Sequence, residues 1–210
     1  MYTPRAFAED DLAGLDWLLA RDPFVTLVTT GEDGLPLATH LPVLYARHGG
    51  DVIVEGHWAR PNPQASHAGP ALIIVHGPHH YISPGWYPDK AEAARVPTWN
   101  YAAAHLHGML EALHAEDELA SIVARLGERF ETQVGGDWRY DPADERERRQ
   151  LRGIVGFRVR ATRIELKFKL NQNHPVANVE GAIAGLRQLP GEAPAAVAGL
   201  MADRLARRAR

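Results

Sequence analysis

Cysteine is absent from the 210 residues. That one absence removes disulfide scaffolds, thiolate-bound zinc, iron–sulfur clusters and thiol nucleophiles together. Long apolar runs are missing too: no stretch approaches the roughly 18 residues a membrane helix needs, and residues 1–11 lack the apolar core of a secretory signal. A soluble, cytoplasmic protein with no membrane partner is expected on that basis. Neither sign of charge dominates, since 23 Lys and Arg stand against 26 Asp and Glu for a formal net charge of -3. Such a balance provides no overall field to hold a polyanion, although a local patch still can. No P-loop, no G-x-G-x-x-G after a strand and no G-x-S-x-G elbow occurs, which removes the nucleoside-triphosphate and serine-hydrolase classes.

What is present is ample for a core. Apolar residues make up 45% of the chain, and a chain of this length buries roughly 70% of its unfolded surface. Leu12, Leu15, Leu18 and Leu19 fall at helical spacing after Asp10 and Asp11 and predict a first helix ending near Arg21. Strands are expected over 24–30, 37–45, 52–57, 71–76 and 99–113, with a further pair over 154–161 and 163–170. Turn signals at Glu32-Asp33-Gly34, Gly49-Gly50-Asp51 and Gly77-Pro78 separate several of them. A helix is expected over 116–130, residues 141–152 read as a solvated connection, and two more helices follow from Val176, broken at Pro190-Gly191. About six strands joined by short turns exclude βαβ crossovers and predict a mainly β, antiparallel barrel with peripheral helices. The expectation is one domain over 1–210, with a helical extension over about 175–210 whose end carries Arg204, Arg207, Arg208 and Arg210.

Four segments hold more chemistry than a plain barrel requires. In the first, residues 56–64, Arg60 sits at a proline-stiffened turn between His57 and Asn62, and its planar fork suits a phosphate, or it is a loop arginine facing water. Residues 77–88 and 96–101 gather Tyr81, Trp86, Tyr87, Trp99 and Tyr101 among prolines, with Ser83 and Asn100 beside them. Such aromatics wall a flat heteroaromatic ring or seal a subunit interface. In residues 167–173, Lys167 and Lys169 share one strand face while Phe168 and Leu170 take the other. Paired cations call for an anion between them, unless the strand simply faces solvent. Among 11 histidines, His105 and His107 stand two apart on one strand face. A third ligand would have to come from His79 or His80 in the neighbouring loop, and with no cysteine and no HExxH helix no metal site is expected.

Taken in order, residues 1–4, His40-Leu41-Pro42, GHWARPNPQ at 56–64, GPHHYISPGWYPDK at 77–90, VPTWNY at 96–101 and KFKLNQN at 167–173 resemble the PaiB-type family of FMN-binding negative transcriptional regulators. That family has the flavin-binding split-barrel fold. The resemblance implies a homodimer with FMN at the subunit interface and a phosphate held by Arg60, with His57 and Asn62 beside it. It further implies Thr39 and His40 near the ring or ribityl chain, Trp99, Asn100 and Tyr101 along the ring edge, and Lys167 and Lys169 as balancing cations. Two functions follow from the resemblance. One is a flavin-binding regulator that meets DNA directly or through a partner. The other is an FMN-dependent or haem-linked oxidoreductase of the same fold, with no catalytic residue assigned.

Overall fold

The computed structural model describes residues 1–208; Arg210, expected at the end of the basic carboxyl-terminal helix, lies outside them. The elements in chain order are β1 (Ala8–Glu9), α1 (Ala13–Arg21), β2 (Phe24–Thr30), β3 (Pro36–Pro42), β4 (Leu44–His48), β5 (Asp51–Ala59), β6 (Gly69–Ile82), β7 (Thr98–Leu113), α2 (Glu116–Val134), α3 (Glu145–Gln150), β8 (Ile154–Lys169), α4 (Val176–Arg187) and α5 (Glu192–Arg208). Hydrogen bonding orders seven strands as β3-β2-β6-β7-β8-β5-β4, with β1 added against β8. Every register defined is antiparallel. The chain divides into two compact units. One holds residues 16–75 and 105–164, and the other holds 1–15, 76–104 and the chain from 165 onward.

In the first unit the two outermost strands, β3 and β4, are consecutive in sequence and separated only by Val43. Strands at opposite ends of a sheet can be one residue apart only if the sheet curls until its ends meet. Val43 is fully buried at that junction, and its N–H donates to Pro23 O at 3.0 Å. No ladder joins β3 to β4 among the described residues, so the barrel is split at this seam. The concave face carries Leu27, Val54, Trp58, Ile73, Leu106 and Phe157, and the Trp58 and Phe157 rings lie 4.9 Å apart. The architecture is an antiparallel split barrel with peripheral helices.

Helix α2 forms because Leu119, Ile122 and Leu126 recur on one face while Glu116, Asp117 and Glu118 meet the positive end of its dipole. It stops at Gly135, which takes the left-handed conformation (φ 72°) that glycine adopts without penalty. Its apolar face lies on the outer side of the sheet at Gly156, where a Cβ would come within 3.0 Å of Leu119 and 3.2 Å of Ile122. Polar anchoring surrounds this contact. Glu55 on β5 accepts from Arg158 and from Arg125, each at 2.8 Å. Burial works to raise the Glu55 carboxyl, but these two guanidinium hydrogen bonds prevail and hold it below the usual carboxylate range.

The second unit contains β1, whose Ala8 and Glu9 register with Lys167 and Leu166 of β8, together with α4 and α5. Gly181 and Gly185 let α4 approach the 3-10 turn at Pro84–Trp86, because a Cβ at 181 would stand 2.1 Å from Trp86 O and one at 185 would stand 2.4 Å from its ring. Tyr87 is buried beside that turn, and its hydroxyl accepts from Asn171 Nδ2 at 2.8 Å.

Several expectations change. The eight strands exceed the expected six or so, because 37–45 breaks at Val43 into two strands and a two-residue β1 is added. Strand β6 continues through Gly77-Pro78 to Ile82, since Gly77 and Pro78 are buried rather than turning out to solvent. The expected pair over 154–170 is one continuous strand. Residues 141–152 are not wholly irregular: they contain α3, capped by Asp144 accepting from the Arg146 N–H at 2.7 Å. The two carboxyl-terminal helices and their break at 190–191 are as expected, and they cluster with the amino terminus and residues 76–104.

The tightest backbone approach in the barrel is at Gly108, where a Cβ would lie 2.2 Å from Arg160 O. Gly108→Ala is therefore expected to lower stability by about 1–3 kcal/mol or more in urea unfolding. Gly50→Ala, which meets nothing within 4 Å, should stay within about 1 kcal/mol of the parent.

Candidate functional site

The turn after β5 is built on hydrogen bonds that its prolines permit. Pro61 and Pro63 have no N–H to satisfy, and Asn62 closes the turn by accepting from the Gln64 N–H at 2.9 Å. Its Nδ2 donates to Thr39 Oγ1 at 2.9 Å, and the Thr39 hydroxyl donates in turn to Gln64 Oε1. The buried Gln64 amide nitrogen meets Leu27 O at 3.3 Å, Thr29 Oγ1 at 3.0 Å and Leu37 O at 3.2 Å. Thr39 and Asn62 thus spend their polar atoms fixing this corner. Gln64 belongs to the 56–64 segment but not to its candidate ligand residues; a polar residue directly behind two prolines is the signal that marks it.

Arg60 emerges from the same turn onto an exposed surface. Its Nε donates to Arg152 O at 2.7 Å and one terminal nitrogen donates to Ile154 O at 3.0 Å. Neither partner is charged, and no carboxylate pairs with it among the described residues. A guanidinium has five N–H donors, so Arg60 is oriented by the backbone and keeps three for a ligand.

His57 and His40 point elsewhere. His57 registers with Gly156 on the outer sheet face that α2 covers, and its Nδ1 is buried without a partner. Burial pushes the His57 imidazole below its ordinary range, so it is a neutral ring beneath a helix rather than a donor beside Arg60. His40 shares the outward face of β3 with Ala38, and its Nδ1 lies 2.9 Å from Thr26 Oγ1. Thr39 and His40, neighbours in sequence, face opposite sides of the sheet.

In the second unit, Trp99, Tyr101, Lys167 and Lys169 come together on one face. Lys167, only 7% exposed, donates to Tyr2 O at 2.9 Å and stands 5.8 Å and 5.1 Å from the Tyr2 and Tyr101 ring centres. Lys169 donates to Trp99 O at 2.9 Å and to Thr98 Oγ1. Trp99, 53% exposed, has His79 and Tyr81 each 6.2 Å from its ring. Asn100 does not share that face. Strand alternation turns it inward, where its Nδ2 meets Met201 Sδ of α5 at 3.3 Å and its Oδ1 is buried without a partner. It is a core asparagine rather than a ring-edge contact. His105 and His107 lie with ring centres 6.4 Å apart, and His107 Nε2 lies 3.0 Å from the Arg163 guanidinium.

An antiparallel barrel split at one seam and flanked by helices is the architecture of the split-barrel proteins. A conserved hypothetical protein of Mycobacterium tuberculosis superposes with a TM-score of 0.54 at 16% identity, over 83% of this chain and 94% of its own. The FAD and heme binding protein of Mycobacterium smegmatis gives 0.53 at 18% identity, over 83% and 79%. Within that class, residues 1–163 match the family described as "Putative FMN-binding domain", and the chain belongs to it. A relative from Bacillus subtilis (strain 168), "Protease synthase and sporulation protein PAI 2", is 32% identical over 209 residues and covers 98% of each chain.

The environment of His57 has a measurable consequence. Its folded-state pKa lies below the unfolded value near 6.5, so below about pH 6.5 the unfolded chain takes up a proton the folded ring refuses, and stability falls with pH. His57→Phe should remove that share, leaving the variant with a shallower loss between pH 7.5 and 5.5 in pH-resolved urea unfolding.

Proposed function

We propose that the protein is a homodimeric FMN-binding regulator in which Arg60 holds the flavin phosphate. Arg60 carries the reading: an exposed guanidinium aimed by two carbonyls and matched by no carboxylate among the described residues is preorganised for a phosphate monoester. The donor set fits that group, with Asn62 and Gln64 holding the turn from behind. When bound, FMN supplies a redox-active ring. The phosphate role of Arg60 favours a phosphorylated flavin over riboflavin, and the choice of FMN among these rests on the family. The regulatory role rests on the resemblance to PaiB-type regulators, with DNA reached directly or through a partner.

The dimer is supported by an outward sheet face in the first unit. Val28 registers with Ala38 and with Leu72, and Thr26 registers with Ile74, so apolar side chains from β2, β3 and β6 share one side. Phe24 at its border is 54% exposed. Apolar faces of this kind mark interaction surfaces.

Arg60→Ala should weaken FMN by about 1.5–3 kcal/mol, the range for a hydrogen bond to a charged group, and leave riboflavin nearly unchanged in fluorescence titrations. Equal losses for both ligands would remove the phosphate role. Ile74→Arg should convert the dimer to a species of 23.1 kDa in light scattering after gel filtration; a wild-type protein already of that mass refutes the dimer.

A further inference from the structure

A cavity of about 270 Å³ in the second unit is lined by the apolar Ala93, Ala94, Val96 and Pro97 together with polar side chains. Its volume lies below the roughly 300–1,000 Å³ of pockets that take drug-sized ligands, so its occupant is smaller than a flavin.

The charges around it do not cancel. Arg95 at the rim is neutralised by Asp89, whose Oδ1 also accepts from Asn178 at 2.7 Å. Lys169, which lines the cavity, has only neutral acceptors among the described residues, Thr98 Oγ1 and Trp99 O. Burial first, and then the nearby Lys167 cation, pull Lys169 below the ordinary lysine range, and an anion relieves both effects. Among the residues that line the cavity, one positive charge is left unmatched.

A second observation is independent of charge. His174 lines the same cavity with its ring centre 5.0 Å from that of Tyr87, and its Nδ1 is buried without a partner. A buried polar nitrogen with nothing to bond is costly, and this one belongs to a residue of the cavity wall. The backbone adds a third. Ala94 (φ 45°) and Asn171 (φ 61°) are the only non-glycine residues with positive φ among those described, and both line this cavity. Strained backbone of this kind collects at ligand sites, and the Tyr87 hydroxyl holds Asn171 in place.

We propose that this cavity binds a small monoanionic carboxylate, its charged end on Lys169 and His174 and its short apolar body on Ala93, Ala94, Val96 and Pro97. One unmatched cation selects a monoanion over a phosphate dianion. The site is separate from the Arg60 turn, and the proposal does not depend on flavin binding.

The test is a titration of the full-length protein with butyrate, n-butylamine and inorganic phosphate, followed by amide NMR shifts at Thr98, Lys169 and His174. Butyrate should give saturable shifts at these three amides, and the isosteric amine should give none. Lys169→Met should weaken butyrate at least tenfold, as should His174→Phe, which keeps a ring against Tyr87, while Lys90→Met should leave it unchanged. Near-UV circular dichroism identifies any variant that fails to fold, and the other variant then decides. Four results overturn the proposal: no saturation by butyrate, equal shifts with butylamine, tighter binding of phosphate, or loss of the butyrate response when excess FMN is added. Failure of Arg60→Ala to affect FMN would leave this result untouched.

Discussion

One buried residue, Val43, stands between the two outermost strands of a curled sheet. The chain must pass from one edge to the other in a single step, so the intervening strands have to bend far enough for the edges to meet. That bend makes a concave side, and Leu27, Trp58, Ile73 and Phe157 fill it. The β5–β8 ladder, which pairs Ala59 with Ile154, brings the turn after β5 to the start of β8, where Arg60 finds its two carbonyls. The close approach at Gly108, where a Cβ would meet the β8 backbone at Arg160 O, belongs to the same curled sheet.

Charge is treated in two ways. Arg158, Arg125, Arg95, Arg47 and Arg204 each face a carboxylate within hydrogen-bond reach, and those pairs tie elements together. Arg60, Lys167 and Lys169 instead rest on carbonyl, hydroxyl or aromatic neighbours. A cation held in place without an opposing charge adds little to folding, and the desolvation of the two lysines opposes it. The contrast separates side chains that hold the barrel together from side chains available to a ligand, which charge counting along the chain does not do.

Most of the fold was legible because its signals are local. Alternation and turn residues marked the strand of residues 24–30, and apolar spacing with an acidic first turn marked α2. The structure departs from the expected strands where burial overrides a turn signal and lengthens a strand, as at Gly77 and Pro78, or where a curl rather than a turn residue breaks one, as at Val43. The site was legible by residue type and less so by direction. Trp99, Tyr101, Lys167 and Lys169 share a face as strand alternation requires, and the same alternation removes Asn100 from it. His57 is covered by a helix more than fifty residues further along the chain, and no local pattern reveals such a cover. Gln64 and His174 depend on long-range contacts in the same way.

The hydrogen bonds of Arg60 reach carbonyls 92 and 94 residues away in sequence. Any anion that settles on the guanidinium therefore adds its binding free energy to the closure of a long loop, and stabilises the folded state by RT ln(1 + [L]/Kd). Buffer anions enter this balance as well. A melting temperature taken in phosphate and one taken in a weakly binding buffer describe two different equilibria of the same barrel.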